Sequence, residues 1–371
     1  MIALFCYFVN YFLIKIQFCN KNLRRYTAKG NYMIQTILGE IKKEEVGNAL
    51  PHEHILCDLR PCLDMTANTP HFHEPISIEN RYVVYTDPYL IADNAVYNDE
   101  DIAVKELLLF KESGGKTIFD CTTFTPDYEK LIRISKRSGV QIVMGCGHYI
   151  DSFLSDWNKS ATVEEIAEKM VRELTVGFEG TNVKAGFIGE VGTSAEITPF
   201  EWKNVIASGL ASNETGAAIH FHTALWERHG LKIAKELLKN GVAPEKICID
   251  HIDVCIREDY LEDLLKLGVY VEYDNFGKEF FMPTRETGVL KGRFAYDLER
   301  CQSIKRLIDK GYGSKILITN DICLKSMLCS YGGNGFGHIN RNITVMLKDV
   351  GLTEGQIERL LVENVAEFFD K

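Results

Sequence analysis

AAIHFHTALWERHGLKIAKELLKNGVAPEKICIDH, residues 217–251, is the stretch that decides the fold. It begins and ends with a short apolar run typical of a buried strand, and between the runs Leu231, Ala234 and Leu238 recur at helical spacing. Gly241 stands where such a helix needs a residue that tolerates a left-handed conformation at its end. The stretch therefore predicts a strand, a helix and a second strand parallel to the first.

The same unit repeats along the chain from about residue 33 to residue 371. The apolar runs with the length of strands are 49–58, 116–122, 141–148, 184–191, 217–223, 246–251, 269–275 and 315–321. Eight such units predict an α/β fold of the (β/α)8 TIM-barrel type, with its active site at the C-terminal ends of the strands. A doubly wound open sheet is the alternative. It needs a glycine-rich loop after its first strand, where this chain has Pro-His-Glu-His at 51–54.

The composition is that of an ordinary globular protein. The 371 residues are 46% hydrophobic, and 52 acidic against 42 basic side chains give a formal net charge of -10. An acidic chain lacks the basic footprint of a nucleic-acid-binding protein, so we expect no nucleic-acid partner. The 11 cysteines are odd in number and show no Cys-x-x-Cys spacing, which predicts free thiols and a reducing, cytoplasmic location.

The first 32 residues depart from this pattern. Residues 2–18 are almost wholly apolar and are followed by a basic cluster at 21–25, an arrangement that could anchor a protein in a membrane. Lys15 and the short length argue against a span, and a signal peptide would carry its charge ahead of the apolar run. A helix docked on the domain is a third interpretation. We expect residues 1–32 to be an extension outside the catalytic fold, and Met33 to begin a natural first strand.

Residue types that bind metals occur where the predicted strands end. His52 and His54 alternate along the first strand, so both side chains should face the barrel interior and could hold one ion between them. The others at strand ends are Glu190, His222, His251 and Asp321. Six nitrogen and oxygen ligands are too many for one tetrahedral zinc ion, and they suit two divalent ions bridged by a carboxylate.

Each of these residues also has an ordinary structural interpretation. A histidine at a strand end is often only hydrogen-bonded, and Asp321, or Asp250 before His251, could cap the following helix. The occurrence of six such residues at the ends of five different strands favours a site. His220 shares a face with His222 one layer lower, so we expect it to support the site or to belong to the core.

Five motifs bring the chain close to a known family. They are Pro-His-Glu-His at 51–54, Gly-Glu-Val-Gly-Thr-Ser at 189–194, Phe-His-Thr at 221–223, Ile-Asp-His at 249–251 and Thr-Asn-Asp at 319–321. In this order, and over about residues 34–370, the chain resembles the phosphotriesterase family of the amidohydrolase superfamily. The resemblance implies a (β/α)8 barrel with two divalent metal ions, usually zinc, with manganese or cobalt as alternatives. It also implies that His52, His54 and Asp321 hold the more buried ion, and that His222 and His251 hold the more exposed one.

The chain departs from the best-known family members at the bridging position. Those members have a carboxylated lysine at the end of the fourth strand, where this chain has Glu190. Either group offers two oxygens to two metals, so we expect Glu190 to bridge. Lys184 lies on the same face six residues earlier and is the alternative bridge, although it would sit deep in the barrel.

The expected reaction is hydrolysis by a metal-bridging hydroxide, because two cations lower the pKa of a shared water. Glu190 would hold the two ions together, and Asp321 would take the proton and pass it to the leaving oxygen. A serine hydrolase is excluded, since the chain has no Gly-x-Ser-x-Gly elbow. A metal-binding protein without catalysis is disfavoured because all the expected ligands are present.

The predicted substrate is a phosphorylated sugar lactone of the pentono-1,4-lactone 5-phosphate type. Loops after strands seven and eight of barrels frequently bind phosphate, and here they carry cations, although any one of these could be an ordinary solvated surface residue. The candidate substrate contacts are Lys278, Arg285, Arg293 and Arg341, together with His148 and Tyr149 at the end of the third strand. Other lactones, carboxyl esters and phosphotriesters are the alternatives. Family relatives are commonly dimeric, so a homodimer is a further expectation.

Overall fold

The computed structural model describes residues 33–85, 87–124, 126–282 and 292–370. In this part of the chain eight strands form one sheet in chain order, and each pair of neighbours within it is parallel. The strands, β1 to β8, are Ala49–Glu53, Thr117–Asp120, Gln141–Cys146, Phe187–Thr193, Ile219–Thr223, Ile247–Ile249, Tyr270–Tyr273 and Ile316–Ile318. Thr319, just after β8, links the last strand to the first, because its Oγ1 donates to the carbonyl of His52 at 2.9 Å. The predicted (β/α)8 barrel is confirmed.

A helix follows each strand. These helices, α1 to α8, are Glu100–Glu112, Tyr128–Ser138, Val163–Thr175, Pro199–Thr215, His229–Lys239, Glu258–Lys266, Asp297–Asp309 and Thr344–Asp349. Their ends follow local rules: the Asp99 side chain caps α1 by accepting from two backbone N–H groups, and Gly139 ends α2 at φ 69°. Short helices precede α3 and follow α8, at Asp156–Ser160, Glu354–Glu358 and Asn364–Phe368.

An antiparallel hairpin of Met33–Thr36 and Gly39–Lys42 precedes the barrel. The strand expected at Met33 is therefore present, but it lies outside the eight-stranded sheet. The interpretations of residues 1–32 concern a segment outside the described residues. Within the described part, no helix has both the length and the apolar character that crossing a membrane requires. Among the described cysteines, Cys57, Cys121, Cys248 and Cys301 are buried free thiols.

Aromatic side chains close the N-terminal end of the barrel. Phe369, from the C-terminal segment, stacks on Phe119 of β2 with ring centroids 3.7 Å apart and meets the edge of Phe187 of β4 at 5.1 Å. The three rings are buried, and His220 of β5 lies over Phe369 at 5.4 Å. The barrel is thus apolar at this end and becomes polar toward the C-terminal ends of the strands, where ligands of such barrels bind.

Candidate active site

β1 places two histidine side chains inside the barrel. His52 Nδ1 lies 3.0 Å from Glu272 Oε2, and His54 Nδ1 lies 2.9 Å from Thr122 Oγ1. A partner at Nδ1 fixes the ring orientation and leaves Nε2 as the ligand atom. Both Nε2 atoms point to Glu190, at 3.5 Å from Oε2 for His52 and 3.4 Å from Oε1 for His54.

Two glycines allow β4 to pack so closely between β3 and β5 that Glu190 reaches the two histidines of β1. Gly189 has φ 140°, and a Cβ on it would lie 2.7 Å from Cβ of His220 on β5. On the other side, a Cβ on Gly145 of β3 would lie 1.9 Å from the carbonyl oxygen of Gly189. Side chains at these two positions would therefore force β3, β4 and β5 apart.

Glu190 faces two groups of histidines at once. Besides β1, its Oε2 lies 3.3 Å from His222 Nδ1 and 3.7 Å from His251 Nε2. Burial opposes a charge on Glu190, but the neighbouring imidazoles of His222, His251 and His52 outweigh it and lower its pKa. The carboxylate is therefore ionised between the two groups, as a bridging ligand must be.

His222 and His251 form the more open side of the site. Their Nδ1 and Nε2 atoms are 2.7 Å apart, and the Tyr149 hydroxyl lies 3.2 Å from the same Nδ1 of His222. Asp274 holds His251 twice, since Oδ2 accepts the backbone N–H at 2.8 Å and lies 3.0 Å from Nδ1. The His222 side chain is 15% exposed and that of His251 4% exposed, so His222 is the more accessible of the two.

Asp321 lies beside β1 after the end of β8. Its Oδ1 is 3.3 Å from His54 Nε2 and 3.9 Å from His52 Nε2, and its Oδ2 pairs with the ammonium of Lys278. Burial opposes ionisation of Asp321, but the charge of Lys278 outweighs it and holds the pKa well below the usual range. The predicted phosphate ligand Lys278 is therefore a buried partner of Asp321.

The donor set fits divalent metal ions. His52 Nε2 and Glu190 Oε2 are buried without a hydrogen-bond partner, although each faces other ligand atoms. Donor atoms about 2.0–2.1 Å from a tetrahedral ion lie about 3.4 Å apart, close to the spacings around Glu190. Two groups of the described residues share Glu190: His52, His54 and Glu190, and Glu190, His222 and His251. The site can hold two ions with Glu190 between them.

A layer of buried polar residues supports the ligands from below. His220 Nδ1 lies 3.0 Å from Asp250 Oδ1 and 3.4 Å from Glu272 Oε2, and Asp250 and Glu272 also face His52. Burial lowers the pKa of His220, but the two carboxylates outweigh it and raise that pKa to about 9. Asp250 is therefore a partner of buried histidines and does not cap a helix. Sequence reasoning missed Glu272, although a glutamate within the apolar run of β7 is a usable signal.

A cavity of about 580 Å³ opens above the site. The lining includes five ligand candidates and Lys278, and its wall is largely apolar. The larger apolar and aromatic lining residues are Leu59, Tyr89, Tyr149, Ile150, Leu225, Trp226, Phe280, Phe294 and Leu324. Tyr149 and Lys278, two of the predicted substrate contacts, line this cavity.

The other predicted contacts that belong to the described residues do not line this cavity. His148 packs against Trp157 with ring centroids 6.1 Å apart, because consecutive residues of an extended segment point to opposite sides and Tyr149 faces inward. Arg293 pairs with Glu299 at 2.7 and 3.0 Å. Arg341 donates to the carbonyl of Asn334 at 2.5 Å, and Arg285 lies outside the described residues. Lys184, the alternative bridge, is partly exposed ahead of β4.

Comparison with known proteins identifies the family. Residues 32–369 match the model of the phosphotriesterase family. A phosphotriesterase-related protein of Nematostella vectensis is 36% identical over 341 residues, covering 90% of this chain and 97% of that protein. An N-acetyltaurine hydrolase of Danio rerio is 32% identical over 345 residues, covering 89% and 96%. The crystal structure of a lactonase from Listeria monocytogenes superposes with a TM-score of 0.72 at 25% identity, covering 91% and 98%. The chain belongs to the phosphotriesterase family and is a hydrolase.

Proposed function

We propose that this hydrolase cleaves a carboxylic amide or ester bond in a small, singly charged anionic molecule, with N-acetyltaurine as the first substrate to test. The observation that carries the proposal is the position of Glu190 between two histidine groups on the floor of the cavity. His52, His54 and Asp321 would hold one ion, and His222 and His251 the other. Two divalent cations, expected to be zinc with manganese or cobalt as alternatives, would supply a water of lowered pKa and polarise the substrate carbonyl.

Side chains of the protein would then accept and donate the protons that the reaction transfers. Asp321 is ionised beside Lys278, so its Oδ1, which faces His54, can accept the proton of the attacking water. The same carboxyl group can return the proton to the leaving nitrogen or oxygen. The Tyr149 hydroxyl faces the cavity and can donate to the substrate. The apolar wall around Trp226 excludes water from the acyl side.

The charge of the cavity favours a monoanion. Among the described residues that line it, Lys278 is the cationic Lys or Arg side chain. An ammonium has three N–H donors, and Asp321 takes one of them. A phosphate monoester carries about 1.5 to 2 negative charges at pH 7, whereas a sulfonate or carboxylate carries one. A single partly neutralised lysine matches the monoanion better, and the relative from Danio rerio is named for a sulfonate substrate.

A phosphorylated sugar lactone remains the second candidate. It is favoured by the place of Lys278, in the loop after β7 and on the cavity wall. The likeness to the Listeria monocytogenes lactonase supports a lactone ring as the scissile group. Other lactones, carboxyl esters and phosphotriesters share the same chemistry at the ligands.

The test is turnover by metal-loaded protein. We expect kcat/KM for N-acetyltaurine to exceed that for pentono-1,4-lactone 5-phosphate and for the uncharged amide N-acetylethylamine by at least about tenfold. In Lys278→Met the preference for N-acetyltaurine over N-acetylethylamine should disappear. Lys325→Met is the matched control, since Lys325 pairs with Asp93 outside the cavity lining. Faster turnover of the phosphorylated lactone would reverse the order of the two candidates, and the absence of a carboxylate product from every one of these substrates would contradict the proposal.

A further inference from the structure

Arg300 is the largest fully buried side chain among the described residues. It lies in the first turn of α7, outside the cavity lining, and neither the motifs nor the predicted ligands include it. Removing a guanidinium from water is costly unless ionic partners surround it. Its partners therefore show what the burial accomplishes.

Three oxygens surround the guanidinium. Nε donates to Asp253 Oδ2 at 2.8 Å, Nη1 donates to Asp297 Oδ1 at 3.0 Å, and Nη2 donates to the carbonyl of Lys278 at 3.2 Å. Asp253 follows β6, Lys278 follows β7 and Asp297 begins α7. The Arg300 side chain thus joins the loops after β6 and β7 to helix α7.

The same partners hold the turn 275–278. Asp253 accepts from the backbone N–H of Asn275 at 3.1 Å and from its Nδ2 at 2.7 Å. Asp297 accepts from the backbone N–H of Gly277 at 2.9 Å, and Arg300 itself holds the carbonyl of Lys278. Three of the four residues of this turn are therefore anchored on Arg300 or on one of its two carboxylates.

Gly277 shows that the turn has little freedom. Its φ is 83°, and a Cβ would lie 3.3 Å from the ring of His338. His338, from the loop after β8, itself binds Asp297 Oδ2 through Nε2 at 2.8 Å. The network therefore packs against the turn from the loop after β8 as well.

The turn leads to both sides of the candidate active site. At its end, the ammonium of Lys278 meets Asp321. At its start, Asn275 Nδ2 donates to Asp274 Oδ1 at 2.6 Å, and Asp274 Oδ2 accepts from the backbone N–H of His251 at 2.8 Å. A displacement of the turn would thus move a partner of Asp321 and the support of His251 together.

We infer that Arg300 is a positioning residue, which fixes the turn 275–278 and so sets Lys278 against Asp321 and Asp274 against His251. The inference rests on the function proposed above, because it concerns the placing of the groups assigned there. Arg300 itself contacts no substrate. Its effect on catalysis is transmitted through the two carboxylates and the turn.

The first test needs no substrate. Hydrogen exchange by mass spectrometry on the full chain, over the peptide 274–282, compares wild type with Arg300→Met and Arg306→Met. Arg306 lies on the same helix but is exposed and pairs with Glu258, so its variant is the matched control. We expect exchange in the 274–282 peptide to rise about tenfold in Arg300→Met and to stay unchanged in Arg306→Met, as loss of about one hydrogen bond implies. Unchanged exchange in Arg300→Met would overturn the inference.

The second test is kinetic. With the substrate that wild type turns over, we expect kcat of Arg300→Met to fall about 10- to 100-fold and Arg300→Lys to recover part of it, since a lysine can reach one carboxylate. If Arg300→Met does not fold, Asp297→Asn undergoes both tests, because it keeps the side-chain shape and weakens the anchor of Gly277. Values of kcat and KM within twofold of wild type in a folded variant would overturn the inference. If wild type turns over none of the substrates, the proposed function fails, and hydrogen exchange alone decides the role of Arg300.

Discussion

Replacing His148 by phenylalanine should make folding less sensitive to mild acid and leave catalysis unchanged. His148 Nε2 is buried without a hydrogen-bond partner. Burial, and secondarily the charge of Lys169, lowers the pKa of His148 from 6.5 to about 3. Below pH 6.5 the unfolded chain therefore takes up a proton at this residue that the folded protein does not bind. The fold then loses about 1.4 kcal/mol per pH unit until the pH reaches the folded pKa.

The size of the effect is measurable. At pH 5.0, which is 1.5 units below the unfolded pKa, His148 should cost the fold about 2 kcal/mol relative to pH 7.5. Urea unfolding followed by circular dichroism at both pH values gives the loss of stability in wild type and in His148→Phe, and the loss should be about 2 kcal/mol smaller in the variant. His73→Phe, at an exposed histidine, is the control. Equal losses in wild type and His148→Phe would refute a buried neutral imidazole.

His148→Phe also tests whether His148 contacts the substrate, as the sequence predicted, or packs away from the cavity, as in the structure. Since His148 packs on Trp157 and not on the cavity, His148→Phe should keep KM and kcat within twofold at pH 7.5. Tyr149→Phe removes a hydroxyl that faces the cavity and should raise KM or lower kcat by about threefold to tenfold. A KM that rises in His148→Phe as much as in Tyr149→Phe would restore His148 as a substrate contact.

Three further outcomes follow from the site and the fold. Glu190→Gln should reduce bound metal, measured by elemental analysis, from about two ions per chain to one or fewer. It should also lower kcat, measured by steady-state kinetics, at least about 1000-fold. Glu227→Gln, at the exposed rim of the cavity, is the control and should change neither quantity. Trp226→Ala should raise KM about 5- to 30-fold with kcat nearly unchanged, because about 1–2 kcal/mol of apolar contact with the acyl side is lost; an unchanged KM would remove Trp226 from the acyl wall. After deletion of residues 1–32, kcat/KM should stay within twofold of the full chain, and circular dichroism should still show a folded barrel. An unfolded product would show that the segment belongs to the fold.

The fold and the placing of the candidate ligands were predictable for a local reason. Each strand is a short apolar run, and each candidate ligand stands between the middle of one and the positions just past its end, so the sequence position indicates the face of the barrel. The alternation of His52 and His54 likewise gives their common direction. These features depend on neighbours in the chain, which a sequence pattern reports directly.

Contacts between distant residues were not predictable in the same way. Lys278 and Asp321 are 43 positions apart, and nothing near Lys278 in the chain indicates that it is buried against a carboxylate. Without that pairing Lys278 resembles Arg293 and Arg341, and all three were predicted to bind phosphate. The structure separates them by their partners, since Arg293 pairs with exposed Glu299 and Arg341 with a carbonyl.

Arg300 shows that a periodic signal for a buried charge was nevertheless present. It stands four residues before Ile304 and seven before Leu307, in the apolar stripe that faces the core. A charged residue in such a stripe must find ionic partners inside the fold, because an unpaired buried guanidinium would destabilise the protein by several kcal/mol. Its two partners, Asp253 and Asp297, also accept hydrogen bonds from the turn 275–278, which ends at Lys278. Hydrogen bonds therefore connect Arg300 on α7 to the lysine that pairs with Asp321. A charged residue in the apolar stripe of a predicted helix is therefore a signal in the sequence. Here it would have indicated Arg300, the residue that links α7 to the site.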